Sequence, residues 1–227
     1  MNIKQLGLIA DAVYATTPSV SGFTLKDVQS ASGRMNGFQA ATFVGDGYTI
    51  IAFRGTAQAA DGIADIKLTG GMNTTYFSQG EDYVQRFSGD PNTVLCGHSL
   101  GGAIAQVVAN RRQLPMVSFN APGVAVFASN ELADASIAMT AIRTAGMTLS
   151  ALRHPMQAAR DVRATFYRVR GINICLENDF VSKIGLHYGP VKRIRGTSSN
   201  PATEHRMTTM NQVLGSHAVG DMLVAAL

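Results

Sequence analysis

The sequence predicts an α/β fold, a largely parallel central sheet flanked by helices, on three observations. β-rich runs alternate with helix-like segments along most of the chain, the pattern that crossover connections in a parallel sheet require. The apolar run Val94-Leu95-Cys96 ends in Gly97-His98-Ser99-Leu100-Gly101 and passes at once into a helix-like segment, a strand, sharp turn and helix with one serine at the apex. Upstream, two β-rich runs are joined by Gly45-Asp46-Gly47, which reads as a hairpin.

The elements follow in order. Ile3, Leu6, Ile9, Ala10 and Val13 recur at helical spacing, so a surface helix is expected over 2–15. A loop with Pro18 and Gly22 comes next, then the hairpin of Phe38 to Val44 and Tyr48 to Phe53. The second hairpin run ends in Arg54-Gly55-Thr56 and leads into a loop and short helix over 57–68. Tyr76 to Phe87 reads as a helix stopped by the turn Gly89-Asp90-Pro91-Asn92. The strand before Ser99 is followed by a helix from Ala103 to Asn110, and Leu114 to Phe119 makes a further strand closed by Asn120-Ala121-Pro122-Gly123.

Residues 129–160 stand apart. Leu132, Ala135, Met139, Ile142, Leu149, Leu152 and Met156 share one helical stripe, which ordinary packing on the sheet explains and a helical cap over the active site also fits. Phe166 to Leu176 reads as a strand ending at Glu177-Asn178-Asp179, Val191 to Arg195 as another, and Glu204 to Leu214 as a final helix that His205 opens.

Composition sets bounds on function. With 227 residues, 46% hydrophobic and 15% charged, the chain has the makings of one globular domain with a full core. No apolar run is long enough to cross a bilayer, and the start of the chain lacks the pattern of a signal peptide, so synthesis in the cytoplasm is expected, with export by a signal-independent route open. Cys96 and Cys175 fall on buried strands and are expected to stay reduced. The net charge of +4 is uneven: from Arg143 to Arg206 eleven Lys/Arg face four Asp/Glu. Such a half can meet an anionic lipid surface or simply be solvated. Basic residues are not interleaved with aromatics, so nucleic acid is not expected as a partner.

The chemistry centres on Ser99. A serine hydroxyl attacks only when a neighbouring base takes its proton and an acid orients that base. On an α/β sheet of this kind the order along the chain is serine, acid, histidine. Among the later carboxylates only Glu177 and Asp179 lie just beyond the end of a strand, and Asp179 is favoured. His187, His205 and His217 follow it, with His205 favoured because it comes after a polar loop that lets it swing over the sheet edge. His98 adjoins the nucleophile and is read as stabilising the turn. For the oxyanion, the backbone N–H of Leu100 is one donor and Thr56, at the end of a neighbouring strand, is the natural second. No His/Cys/Asp/Glu cluster has metal-ligand spacing, and no cofactor is expected.

Taken together, Ile51-Ala52-Phe53-Arg54-Gly55-Thr56 with Asp61 and Asp65, Gly97-His98-Ser99-Leu100-Gly101-Gly102-Ala103, Phe119-Asn120-Ala121-Pro122-Gly123, Asn178-Asp179-Phe180-Val181 and Glu204-His205-Arg206-Met207 resemble the class 3, fungal-type lipases of the α/β-hydrolases. The resemblance spans roughly 38–215 in the family's order. It implies a Ser99–His205–Asp179 triad, oxyanion donors at Thr56 and Leu100, and hydrolysis of carboxylic esters of lipids without a cofactor. The family's lid segment is short here, at Ala57 to Ala64, and lacks an aromatic, so interfacial activation of the usual kind is not implied. The basic second half and the apolar stripe favour a phospholipase A slightly over a triacylglycerol lipase or a small-ester esterase. A non-catalytic lipid-binding module is the reading from another class. A bacterial toxin with an inhibitory partner protein is a further option.

Overall fold

The computed structural model describes residues 1–30, 37–55, 75–87, 89–124, 169–185 and 187–227. The candidate cap at 129–160, the segment 57–68 and Thr56 lie outside the described residues.

Seven strands form one mixed sheet in sequential order: β1 (Thr24–Ser30), β2 (Gln39–Gly45), β3 (Tyr48–Phe53), β4 (Thr93–His98), β5 (Met116–Phe119), β6 (Gly171–Leu176) and β7 (Val191–Ile194). The first two pairings are antiparallel, and β3 through β7 run parallel. The hairpin turns at Asp46-Gly47, both at positive φ (52° and 77°), the backbone that a two-residue turn between twisted strands demands.

Alternation along each strand splits the core in two. On one face Ala41, Phe43, Ile50, Ala52, Val94 and Cys96 pack with α1 (Ile3–Ala12) and the C-terminal helix. On the other, Ala40, Ile51, Phe53 and Leu95 pack with α2 (Thr75–Gln85) and α3 (Leu100–Arg112). α2 and α3 share a face because each belongs to a crossover stepping the same way along the sheet, and such crossovers keep one hand. Every residue of β4 is buried, as expected for a central strand covered on both sides. Cys96 and Cys175 are buried and free.

Three expectations change. β1 occupies what the sequence suggested was loop: its register with β2 shifts between Leu25 and Asp27, and this irregularity scrambles the period-two pattern that marks a strand. α3 starts at Leu100, directly after the serine, three residues earlier than read. The expected last helix is two. α4 (Pro201–His205) ends at the histidine, Arg206 turns extended (φ −71°, ψ 141°), and α5 (Met207–Ser216) begins afresh. His205 therefore closes a short helix and does not open the long one.

Candidate active site

β4 delivers Ser99 to the carboxyl edge of the sheet in a backbone that only local crowding explains. The serine has φ 55° and ψ −128°, a sparsely populated region for a residue with a side chain. Its N–H donates to the Phe119 carbonyl of β5 (3.1 Å), and its own carbonyl accepts from Ala103 in the first turn of α3 (3.1 Å). The helix must start hard against the strands. A β-carbon on Gly101 would overlap the Phe53 carbonyl, and one on Gly97 would overlap the Gly101 main chain. The two flanking glycines are thus what allow the turn.

Asp179 arrives from β6, two strands along the sheet from β4. β6 ends at Leu176, and the N–H of Asp179 closes the turn onto the Leu176 carbonyl (3.1 Å). The carboxylate is fully buried and accepts from the N–H groups of Val181 (3.2 Å) and Ser182 (2.8 Å). Burial pushes it up, but the hydrogen bond and charge of His205 and the bonds from Ser182 together hold it below the ordinary aspartate value of 3.8. Glu177, the alternative acid, is exposed.

His205 lies between acid and serine. Its Nδ1 is 2.8 Å from Asp179 Oδ1, and its Nε2 is 2.9 Å from Ser99 Oγ. An ionised carboxylate only accepts, so Nδ1 carries the proton; Nε2 is left with its lone pair toward the hydroxyl, which donates to it. All three side chains are buried, with Ser99 and His205 each 1% exposed. The other candidate histidines are held elsewhere: His187 Nε2 donates to the Ala121 carbonyl (2.9 Å), and His217 Nδ1 accepts from Val219 (3.1 Å).

Leu100 is the first residue of α3, so its N–H has no acceptor within the helix and lies at the positive end of the helix dipole. A cleft of about 160 Å³ opens beside it, between Phe38, Arg54, Gly55, Tyr76, Leu100 and Ile104. Among the described residues no group of three or more His, Cys, Asp or Glu could hold a metal ion.

Two contributors were not read from the sequence. Asn120, at φ 44°, donates to the Glu204 carbonyl (2.8 Å) and accepts from the Leu176 N–H (2.9 Å), tying the strand that leads to the acid to the segment that carries the histidine. Tyr14, just past α1, donates to His98 Nδ1 (2.8 Å), and nothing in its neighbourhood along the chain announces this.

A family model described as Phospholipase-like, Tle-like phospholipase domain, matches residues 6–174. The chain belongs to this family. The matched part of this Tle-like phospholipase domain holds Ser99 and its turn but ends before Asp179 and His205. The chain is also 31% identical over 100 residues to the extracellular phospholipase A1 of Serratia liquefaciens, a stretch making up 43% of this chain and 31% of that protein. It thus spans less than a third of the curated relative that it matches. Among solved structures, the triacylglyceride lipase of Rhizomucor miehei is similar at a TM-score of 0.53, with 14% identity, 96% of this chain and 91% of that one covered. Lipase II from Rhizopus niveus is similar at 0.51, with 15% identity and 96% and 90% covered. At such identity the likeness is one of fold: an α/β hydrolase of the fungal lipase type.

Proposed function

We propose that the chain is a serine carboxylic ester hydrolase that cleaves acyl esters of phospholipids, with Ser99 as nucleophile, His205 as base and Asp179 as the acid that orients it. The observation that carries this is the unbroken hydrogen-bond path from Asp179 through His205 to Ser99, with bonds of 2.8 and 2.9 Å, at a strained strand-to-helix turn. The family supports the substrate class, and the name of the Serratia relative points to a phospholipase A.

Ser99 Oγ attacks the ester carbonyl as its proton passes to His205 Nε2. The Leu100 N–H, and Thr56 as second donor, stabilise the oxyanion. The tetrahedral species collapses by expelling the lysophospholipid alkoxide, which takes the proton from His205. Water gives a proton to His205 as it attacks the acyl-serine, and the second tetrahedral species collapses to the fatty acid as His205 returns that proton to Ser99 Oγ. The apolar walls of the cleft beside Leu100, from Phe38, Tyr76 and Ile104, suit the acyl chain.

An anionic membrane is the partner we assign to the β7 edge. Lys183, Lys192, Arg193, Arg195 and Arg206 are exposed there, while Asp179 and Glu204 from the same stretch are buried, so the surface is more basic than the sequence count suggests. Phe180, next to the acid, is 39% exposed and adds an apolar contact. Hydrolysis of phosphatidylglycerol vesicles, triolein emulsion and soluble nitrophenyl esters tests the reading. Release of fatty acid and lysophospholipid from the vesicles is expected; activity on soluble esters alone would overturn the phospholipid assignment.

A further inference from the structure

The base is held by more than its side chain. α4 has five residues, too few for a helix to sustain itself, and its last carbonyls have no partner within it. Both of those flanking the histidine's peptide are met by side chains from the sheet: Asn120 after β5 donates to the Glu204 carbonyl (2.8 Å), and His98 at the end of β4 donates from Nε2 to the His205 carbonyl (2.6 Å).

The second contact fixes a direction of hydrogen bonding through four groups. A carbonyl only accepts, so His98 Nε2 must carry the proton and Nδ1 must accept. The phenol of Tyr14, 2.8 Å from Nδ1, therefore donates to it, and the Tyr14 oxygen is free to accept from the Gly55 N–H at 3.1 Å. Gly55 lies just after β3, and a β-carbon there would overlap the Tyr14 hydroxyl, so the approach needs the glycine. Burial, and the nearby His205, hold His98 down to about 3, although the bond to the His205 carbonyl and the Asp179 charge pull the other way. The ring thus stays neutral and in one tautomer over the working pH range.

We propose that Tyr14 and His98 are positioning residues: a relay from the end of β3 to the main chain of His205 that sets where the base stands relative to Ser99. This deepens the proposed function and rests on the reading of His205 as base. A shift of about 1 Å in such a group costs about a hundredfold in rate, whereas the cleft that binds substrate is lined by neither ring. The relay therefore acts on kcat and not on KM.

The test compares wild type with Tyr14→Phe, His98→Leu and His98→Gln on a soluble nitrophenyl ester, with fluorophosphonate inactivation rates alongside. His98→Leu is expected to lower kcat about a hundredfold with KM within about twofold. His98→Gln places an N–H near Nε2 and should recover most of the loss; Tyr14→Phe, which takes the donor from His98 Nδ1 and the acceptor from the Gly55 N–H, should cost about tenfold. Nitrogen NMR of the histidine-labelled protein, with His98 assigned by its absence in His98→Gln, should show the Nε2–H form, and Tyr14→Phe should keep that form while shifting the Nδ1 resonance as its donor is lost. Should His98→Leu fail to fold, the spectrum and Tyr14→Phe decide. Wild-type kcat in folded His98→Leu, no recovery in His98→Gln, a rise in KM matching the fall in kcat, or an Nδ1–H tautomer would each overturn the relay. An inactive wild type, or activity surviving His205→Ala, would instead sink the triad reading.

Discussion

At the scale of single residues, the site is a set of groups whose protonation is set by what surrounds them. Asp179 is ionised in the folded state at a lower pH than in the unfolded chain, so it stabilises the fold above about pH 4 and that contribution is lost as pH falls through its depressed value. His98 adds a second acid-side loss in a different window. The unfolded chain takes up a proton at His98 near pH 6.5 and the folded one only at about 3, so stability falls as pH drops between those values. Chemical denaturation at a series of pH values should show this slope in wild type and a slope smaller by about one proton in His98→Gln; parallel slopes would mean that His98 already titrates in the fold. Asp179→Asn leaves the acceptors of Val181 and Ser182 partly intact but removes the charge and the tautomer control. Its expected loss in kcat is about ten-thousandfold, by analogy with the same change in a serine protease, and ester hydrolysis assays measure it.

At the scale of elements, two joints hold the proposed catalytic groups to the frame. The first is the contact of α3 with β3, where Gly101 sits on the Phe53 carbonyl. Gly101→Ala must push the helix off the strand, and with it the Leu100 N–H; thermal denaturation should show a lower Tm and labelling of Ser99 should slow together. The second is the loop before α4. Glu204, buried at 0% exposure, accepts from the N–H groups of Thr197 (2.9 Å) and Ser198 (2.6 Å) through Oε1. Glu204→Ala takes the acceptor from both part-buried hydrogen bonds and should lower Tm, and a Tm unchanged within a degree would show that the loop is held by other means.

These joints also explain what could be read from the sequence. The hairpin, the strand into Ser99 and the alternating order were legible because each rests on local signals: Asp46-Gly47 at the turn, unbroken apolar runs in strands covered on both faces, and glycines beside the serine. β1 was not legible because its register slips near Lys26 and its exposure alternates poorly. The break at Arg206 was missed because neither Gly nor Pro marks it. In the site, chain order singled out Ser99, Asp179 and His205 as candidates, but Tyr14 pairs with His98 across 84 residues, and such a contact has no local signature.

At the scale of the whole molecule, basic charge and the candidate site share one end of the sheet. β7 is an edge strand, and the exposed Lys192 and Arg193 on it, with Arg195 just after it, stand beside the loop that holds Asp179, with Arg193 donating to the Ser182 carbonyl (3.1 Å). Attraction to an anionic surface is worth about 1 kcal/mol per basic residue and is screened by salt over about 10 Å at 0.1 M. Replacing Lys192 and Arg195 by Glu should lower binding to phosphatidylglycerol vesicles more than tenfold at low salt, with a small effect on neutral phosphatidylcholine vesicles or on soluble esters. Sedimentation of vesicles with bound protein gives the answer, and binding indifferent to both salt and these substitutions would assign the basic edge to solvent alone.

The whole account depends on an activated alcohol at Ser99. Mass spectrometry of the protein after exposure to a fluorophosphonate measures that directly. Wild type should gain one adduct, on Ser99, while His205→Ala and Ser99→Ala gain none in the same time. An unmodified Ser99 in folded wild type, or equal modification in His205→Ala, would contradict it.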